Sequence, residues 1–394
     1  MMPFDTSSKA TNILHSQKMN DFEKLCDVNN LYESFMKCKK GVGWKCSIQS
    51  FEAYILPEIV KISKELKNGT YKQKPFVEFN LNERGKTRHI KSLHIRDRVV
   101  QRNLCDNILN PLLQKYLIYD NGASIEGKGI TFTRKRLKVH LQRYYRKHGN
   151  QGYILLVDFS KFFDSIPHDK LLIDLKSKIT DENIYKLICD LVKTFDEGKG
   201  ISLGIGSQIS QIFGIYYPTQ IDDYIKIVKG CKYYARYMDD LYLIHENKNF
   251  LKQILADITK ISNDLGLKIN SKKTQICRID KGFIFLKNLY LITESGKIVI
   301  KPCKKSLVRE RRKLKKLRKK VDSGDLDFED VFEHYKSWRG IFKHCQSYHA
   351  IRNMDKHFAQ LYGKEIYEGR KNFRTKRNSR NTCRSLRNSN RQCD

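Results

Sequence analysis

Two acidic residues in succession, Asp239 and Asp240, interrupt the stretch ARYMDDLYLI at residues 235–244. Tyr233, Tyr234 and Tyr237 precede them and Leu241, Tyr242, Leu243 and Ile244 follow. Aromatic and aliphatic runs of this kind favour strands, so the pair falls where a hairpin would turn. A third carboxylate, Asp158, ends a separate apolar strand pattern, YILLVD. Carboxylates brought together by two strand ends offer oxygen ligands to hard divalent cations; without a cation, repulsion and partial burial would shift their ionisation. Phosphoryl transfer fits such a site, because two magnesium ions can activate an attacking 3′-hydroxyl and stabilise leaving pyrophosphate. Cations for a triphosphate come from RGKTRHI, where Arg84, Lys86 and Arg88 alternate onto one strand face. Each feature alone has a plainer reading, an exposed charged turn for the acids and an ordinary basic turn for the cations. The other Asp-Asp pair, Asp222–Asp223 in QIDDYIK, reads as a solvated helix face.

The elements that must position these groups follow from periodicity. Residues 1–70 read as a helical extension, with apolar positions at helical spacing in FEAYILPEIVKISKELKNGTY and a stop at Gly69. Short strands flank the turn in NERGKTRHI, and RDRVVQRNLCDNILNPLLQKYL returns to helix. GYILLVDFS is a buried strand, residues 169–195 are helical, GKGISLGIGSQ is a loop, and QISQIFGIYYPTQIDDYIKIV is helical beyond it. A helix ending near Gly266 follows the hairpin, and shorter strands cover 275–300. Residues 301–320 form a strongly basic helix whose narrow apolar stripe is Leu307, Leu314 and Leu317. A last helical unit contains Trp338 and Tyr348, which pack between helices or stack on bases. The tail from Arg370 is rich in Arg, Asn and Ser and is expected to be disordered without a ligand.

With 394 residues and 40% hydrophobic content, the chain supports more than one packed unit. Its 76 Lys+Arg against 43 Asp+Glu give a net charge of +33, which favours a polyanionic partner, nucleic acid first. No apolar run is long enough to span a bilayer and no signal-peptide core is seen, so a cytoplasmic protein without a membrane partner is expected. The 11 cysteines contain no C-x-x-C pair and read as reduced thiols. H-E-x-x-H and P-loop signatures are absent.

ARYMDDLYLI resembles the Y-x-D-D box of reverse transcriptases. VDFSKFFDSI resembles that family's first palm motif, and IGSQISQ its bacterial G-x-x-x-S-Q motif. LGLKINSKKT, FIFLKNL, RDRVVQ and YDNGASIEGKG match further blocks in the family's order, over roughly residues 40–365. The resemblance implies an α/β right-hand polymerase with a ferredoxin-like palm, α/β fingers and a helical thumb. The corresponding boundaries are fingers at 71–150, palm at 151–290 with interleaved fingers segments, basic thumb at 291–368 and tail at 369–394; the reverse transcriptase domain proper covers about 40–290. It implies RNA-directed DNA synthesis on an RNA template from a DNA or RNA primer, with deoxynucleoside triphosphates and two Mg²⁺ ions.

Carried over by position, Asp158 and Asp239 are principal metal ligands beside Asp240, with the Phe159 carbonyl completing one shell. Phe163, five residues after Asp158, matches the steric gate that rejects a ribose 2′-hydroxyl. Lys86 and Arg88 match the triphosphate-binding strand; Gly206, Ser210 and Gln211 shape the nucleotide and template pocket. Lys273 matches a lysine near the leaving pyrophosphate, a candidate general acid. Tyr237, Lys287, Lys304, Arg311, Arg312 and Lys315 are expected on template and primer. Two departures stand out. Phe285-Leu286-Lys287 replaces the usual F-L-G of the primer grip, which puts its tight turn in doubt and offers Lys287 to primer phosphate. Gly204 stands where many relatives have proline. The compact layout most resembles reverse transcriptases of bacterial antiphage defence, which copy a dedicated noncoding RNA, and those of diversity-generating retroelements, which need an accessory protein. A non-catalytic RNA-binding scaffold is the alternative from another class.

Overall fold

The computed structural model describes residues 19–363 and 365, apart from 84 and 197. The expected tail, the first 18 residues and Arg84 lie outside the described residues. Contacts divide the chain into two compact units, residues 1–140 with 154–276, and residues 141–153 with 277–394.

Among the described residues of the first unit, four helices precede a β-hairpin. The last of the four, Ile55–Lys67, buries Ile59, Ile62 and Leu66 at helical spacing and ends before Gly69, which takes φ 65°. The hairpin pairs Val77–Glu83 with Lys86–Ser92. Strands Tyr234–Tyr237, Asp240–His245 and Tyr153–Val157 are neighbours, in that order, in a four-stranded sheet. Ile154 to Val157 are all buried, as a continuous apolar run in a covered strand should be. Helices Gln208–Tyr216 and Lys248–Asp264 contribute Ile209, Phe213, Leu251, Ile254 and Ile258 to the core.

Asp222 is not on a solvated face. It is fully buried and pairs with the fully buried Arg236, whose Nη2 lies 2.6 Å from its carboxylate; only its neighbour Asp223 keeps partial exposure. A lone charge on a short helix reads as surface, but a partner 14 residues later on a strand reverses that reading.

In the second unit, strands Phe283–Phe285, Asn288–Ile292 and Ile298–Pro302 form an antiparallel sheet. The division at 276/277 groups strands Phe283–Phe285, Asn288–Ile292 and Ile298–Pro302 with the helices that follow them, and not with residues 154–276. Helix Lys304–Asp322 buries Leu314 and packs Leu307 and Leu317 against Val331, Tyr335, Trp338, Phe342, Phe358 and Tyr362. Trp338 is thus a packing residue, stacked on Tyr335 at 5.8 Å, while Tyr348 is 69% exposed. The nine cysteines among the described residues are all free. No helix of the described residues is long and apolar enough to cross a membrane.

Candidate active site

Asp239 sits in the two-residue turn of the hairpin that pairs Tyr237 with Asp240. The residue before it, Met238, has φ 55°. A tight hairpin with φ > 0 at its first central residue ordinarily puts glycine there. A methionine in that conformation stores strain that the surroundings must hold, as is common at functional sites. Asp239 and Asp240 are both half-buried. Burial, and then the nearby Asp158 carboxylate, push the Asp239 carboxyl above its ordinary value, against the opposing fields of Lys273 and Arg88. Three of the residues singled out in the sequence, Asp158, Lys273 and Arg88, are therefore within electrostatic reach of Asp239.

Asp158 is placed by the end of Tyr153–Val157 and by a short pairing of Phe159–Ser160 with Lys268–Ile269. That pairing delivers a turn onto it. The Asn270 backbone N–H donates to the Asp158 carbonyl at 2.8 Å, and its side-chain amide donates to Oδ1 at 3.2 Å. Lys273 Nζ then reaches both carboxylate oxygens at 2.6 Å. Asn270 was not anticipated; as one amide in a polar turn, it carries no signal until the turn is folded.

Among the described residues, no group of three or more His, Cys, Asp or Glu side chains is gathered as a metal cage. The donor chemistry still suits a hard dication. Asp158 and Asp239 supply oxygen ligands whose mutual repulsion a cation would relieve, with Asp240 adjacent. A cation at Asp158 would take over at least one of the oxygens that Lys273 now holds.

Phe163 lies on a one-turn helix, Phe163–Ser165, just beyond the Asp158 strand and is half-buried. Its ring meets Phe162 edge-on at 5.3 Å and lies against Gly214, where an added Cβ would come within 2.8 Å of it. Gly214 is thus a seat for this ring inside a helix, a role unmarked in the sequence because helical glycine usually signals only weakness.

The loop before Gln208–Tyr216 is tied to the hairpin strand Lys86–Ser92 by Lys91 N–H donating to the Ile205 carbonyl at 2.9 Å. Gly206 has φ 132°, and a Cβ there would stand 2.6 Å from the Lys91 carbonyl, so only glycine fits. Gly204 has φ 62°, outside what the usual proline could adopt. Gly206 and Gln211 line a cavity of about 500 Å³ with Lys37, Arg98 and Arg102. Ser210 does not face it; the buried hydroxyl donates to the Leu203 carbonyl and holds the loop. Ser207 caps the helix, accepting from Ser210 N–H at 3.3 Å, and donates to Gln101 at 2.8 Å. Lys86 and Arg88 are exposed on their strand.

Lys287, Lys304, Arg311, Arg312 and Lys315 belong to the second unit. The primer-grip turn survives the missing glycine: Phe285 pairs with Asn288 across a two-residue turn in which Leu286 has φ 43° and Lys287 φ 67°. Arg311, Arg312 and Lys315 line a groove of about 490 Å³ with Lys356 and His357. Lys304 and Arg312 rim a second groove, of about 660 Å³, floored by Ile284, Leu289 and Val308.

The family model of the reverse transcriptase (RNA-dependent DNA polymerase) matches residues 70–317, more than half of the chain. The COX1/OXI3 intron 1 protein of Saccharomyces cerevisiae is 24% identical over 58% of this chain and 34% of its own length. The COX1/OXI3 intron 2 protein of the same yeast is 23% identical over 64% of this chain and 36% of its own. The chain thus spans about a third of the length of these curated relatives. Among solved structures, telomerase from Candida albicans in complex with a TWJ fragment of telomeric RNA has a TM-score of 0.46 and 12% identity, covering 79% of this chain and 60% of that one. Apo telomerase from Candida tropicalis has a TM-score of 0.42 and 14% identity, covering 57% and 47%. The matched region contains the Asp158 strand, the Asp239 hairpin and the glycine-bound loop, and on that match the chain belongs to the reverse transcriptase (RNA-dependent DNA polymerase) family, with the mixed helix-and-sheet architecture of a right-hand polymerase.

Proposed function

We propose that the protein is an RNA-directed DNA polymerase that extends a primer 3′-hydroxyl along an RNA template. The observation that carries this reading is the placement of Asp158 and Asp239 at the ends of neighbouring strands of one sheet, with Lys273 Nζ 2.6 Å from both Asp158 oxygens. Two Mg²⁺ ions bound by Asp158, Asp239, Asp240 and the Phe159 carbonyl would supply Lewis acidity for the attacking and leaving oxygens. The chain's own groups do the rest. Arg88 and Lys86 neutralise triphosphate oxygens. Lys273 protonates the departing pyrophosphate, a task open to it once it leaves the Asp158 carboxylate. The Phe163 ring, backed by Gly214, excludes a 2′-hydroxyl. Gly206 and Gln211 shape the templating pocket, Ser210 fixes their loop, and Tyr237 meets the primer end. Lys287, Lys304, Arg311, Arg312 and Lys315 bind phosphates without reading sequence, so affinity falls steeply with salt.

The template we propose is a dedicated noncoding RNA copied in antiphage defence, a reading supported by the net charge of +33 and the Arg-rich composition of the sequence from Arg370. The names of the two yeast relatives place them in introns, which makes the RNA of a host intron the competing template. Sequencing the nucleic acid recovered with the wild type, beside Asp239→Ala/Asp240→Ala, tests both levels. DNA complementary to one RNA, present only with the wild type, supports polymerisation and names the template. The same RNA with both proteins and no DNA would leave a binding scaffold instead.

A further inference from the structure

Arg236 is fully buried, and an arginine there stays protonated, so its placement needs an explanation. Its guanidinium has three partners. Nε donates to Asp222 Oδ1 and Oδ2 at 2.9 and 3.0 Å, and Nη2 donates to Oδ2 at 2.6 Å. Nη2 also donates to the Ile215 carbonyl at 2.7 Å. Nη1 turns back along its own strand and donates to the Met238 carbonyl at 3.3 Å. The Asp222 carboxylate accepts a further bond from Tyr234 Oη at 2.5 Å. The Arg236 backbone is held too, its N–H on the Asp120 carbonyl at 3.3 Å and its carbonyl accepting from Gly122 N–H at 3.0 Å.

The Met238 carbonyl is the important contact. Met238 is the residue at φ 55°, and the peptide that begins with its carbonyl ends with the Asp239 nitrogen. A peptide unit is planar, so fixing the Met238 oxygen fixes the direction of the Asp239 N–H and the position of the Cα from which its side chain departs. The bond to Ile215 anchors the same guanidinium to the last turn of helix Gln208–Tyr216, whose first turn carries Gln211. One buried cation therefore sets the strained turn and the nucleotide-loop helix against each other.

We propose that the Asp222–Arg236 pair is a positioning device for catalysis: it holds the Met238–Asp239 peptide in the strained turn that aims Asp239 at the metal site. Asp222 supplies the charge that lets Arg236 exist in the core, and Arg236 delivers the hydrogen bond. The inference rests on the reading of Asp158 and Asp239 as the metal-binding carboxylates.

A pair that serves only stability can be replaced by apolar residues of similar volume at little cost, because no buried charge is left alone. Asp222→Leu/Arg236→Met makes that replacement in the full-length chain. The double variant is expected to keep its melting temperature and its binding of a labelled RNA–DNA primer-template. It should lose about 100-fold in kcat with a smaller change in the KM for deoxynucleotide, the penalty of misplacing a reacting group by about 1 Å. Mn²⁺ binding to the protein without substrate, followed by electron paramagnetic resonance, should weaken about tenfold, a readout independent of turnover. Wild-type kcat together with wild-type Mn²⁺ affinity would overturn the proposal and leave the pair a core stabiliser. If the double variant does not fold, Arg236→Lys takes its place, since it keeps the charge but cannot serve Asp222 and Met238 together; unchanged kcat and Mn²⁺ affinity there overturn the proposal equally. Asp239→Asn in the same assays separates the two levels: if it retains activity and Mn²⁺ binding, the reading of the metal site itself fails.

Discussion

Two Asp-Asp pairs lie within 20 residues of each other, and the fold uses them in opposite ways. Asp222 is sealed in the core with two donor side chains, Arg236 and Tyr234, and its charge is fully matched. Asp239 is half-buried on a strained turn, lies in the field of the Asp158 carboxylate, and has its carboxyl held above the ordinary value. The first arrangement is solved within the protein. The second leaves a raised carboxyl in the field of a like charge, the imbalance to be expected of an acid with the metal-binding role proposed for Asp239. The difference is one of neighbours, since the dipeptides are identical.

Substitutions at the two pairs should separate these roles. The largest effect on rate is expected from Asp239→Asn, a loss of about 10³-fold or more in primer extension, since an interaction with developing charge is removed. The same variant should be more stable than the wild type at neutral pH in the absence of dication. A carboxyl raised by folding binds its proton more tightly in the native state, so its contribution is present below the ordinary Asp range and is lost as pH rises through the raised value. Denaturant melts across pH check this, the gain shrinking toward zero in acid. Asp222→Asn should do the reverse and cost about 3–5 kcal/mol of stability, because a buried guanidinium loses its counter-charge. Asp223→Asn, next to it and half-buried, should stay within about 0.5 kcal/mol of the wild type.

Smaller effects sharpen the site around Asp239. Lys273→Met should lower kcat by about 100-fold in single-turnover extension, as expected if the proposed general acid is lost. Phe163→Ala should relax discrimination against ribonucleotides by about 100-fold. Gly214→Ala should do so by about tenfold, by displacing the same ring; competition between dNTP and rNTP incorporation measures both.

Much of this site was legible in the sequence because it lies where continuous apolar strand runs end: Asp158 closes one, and Asp239 turns between two. Strand ends are local features, and their chemistry can be read from a dozen residues. What sequence missed depends on contacts between distant segments. The burial of Asp222 depends on an arginine on another element, and Asn270 matters only because a two-residue strand pairing carries it to Asp158. Gly214 matters only because Phe163 rests on it. Lys287 taught the opposite lesson. The loss of glycine argued against a tight turn, yet cross-strand pairing of Phe285 with Asn288 imposes it, and Leu286 and Lys287 take positive φ. Propensity at two positions yields to the register of the strands beside them.

The central claim is that Asp158 and Asp239 jointly hold the dications for polymerisation. Its most direct test is single-turnover extension of a DNA primer on an RNA template by the purified full chain in Mg²⁺, beside Asp158→Asn and Asp239→Asn. The account predicts extension by the wild type and a loss of about 10³-fold in each variant, with primer-template affinity and folding retained. Extension by either variant within a few-fold of the wild type would contradict it.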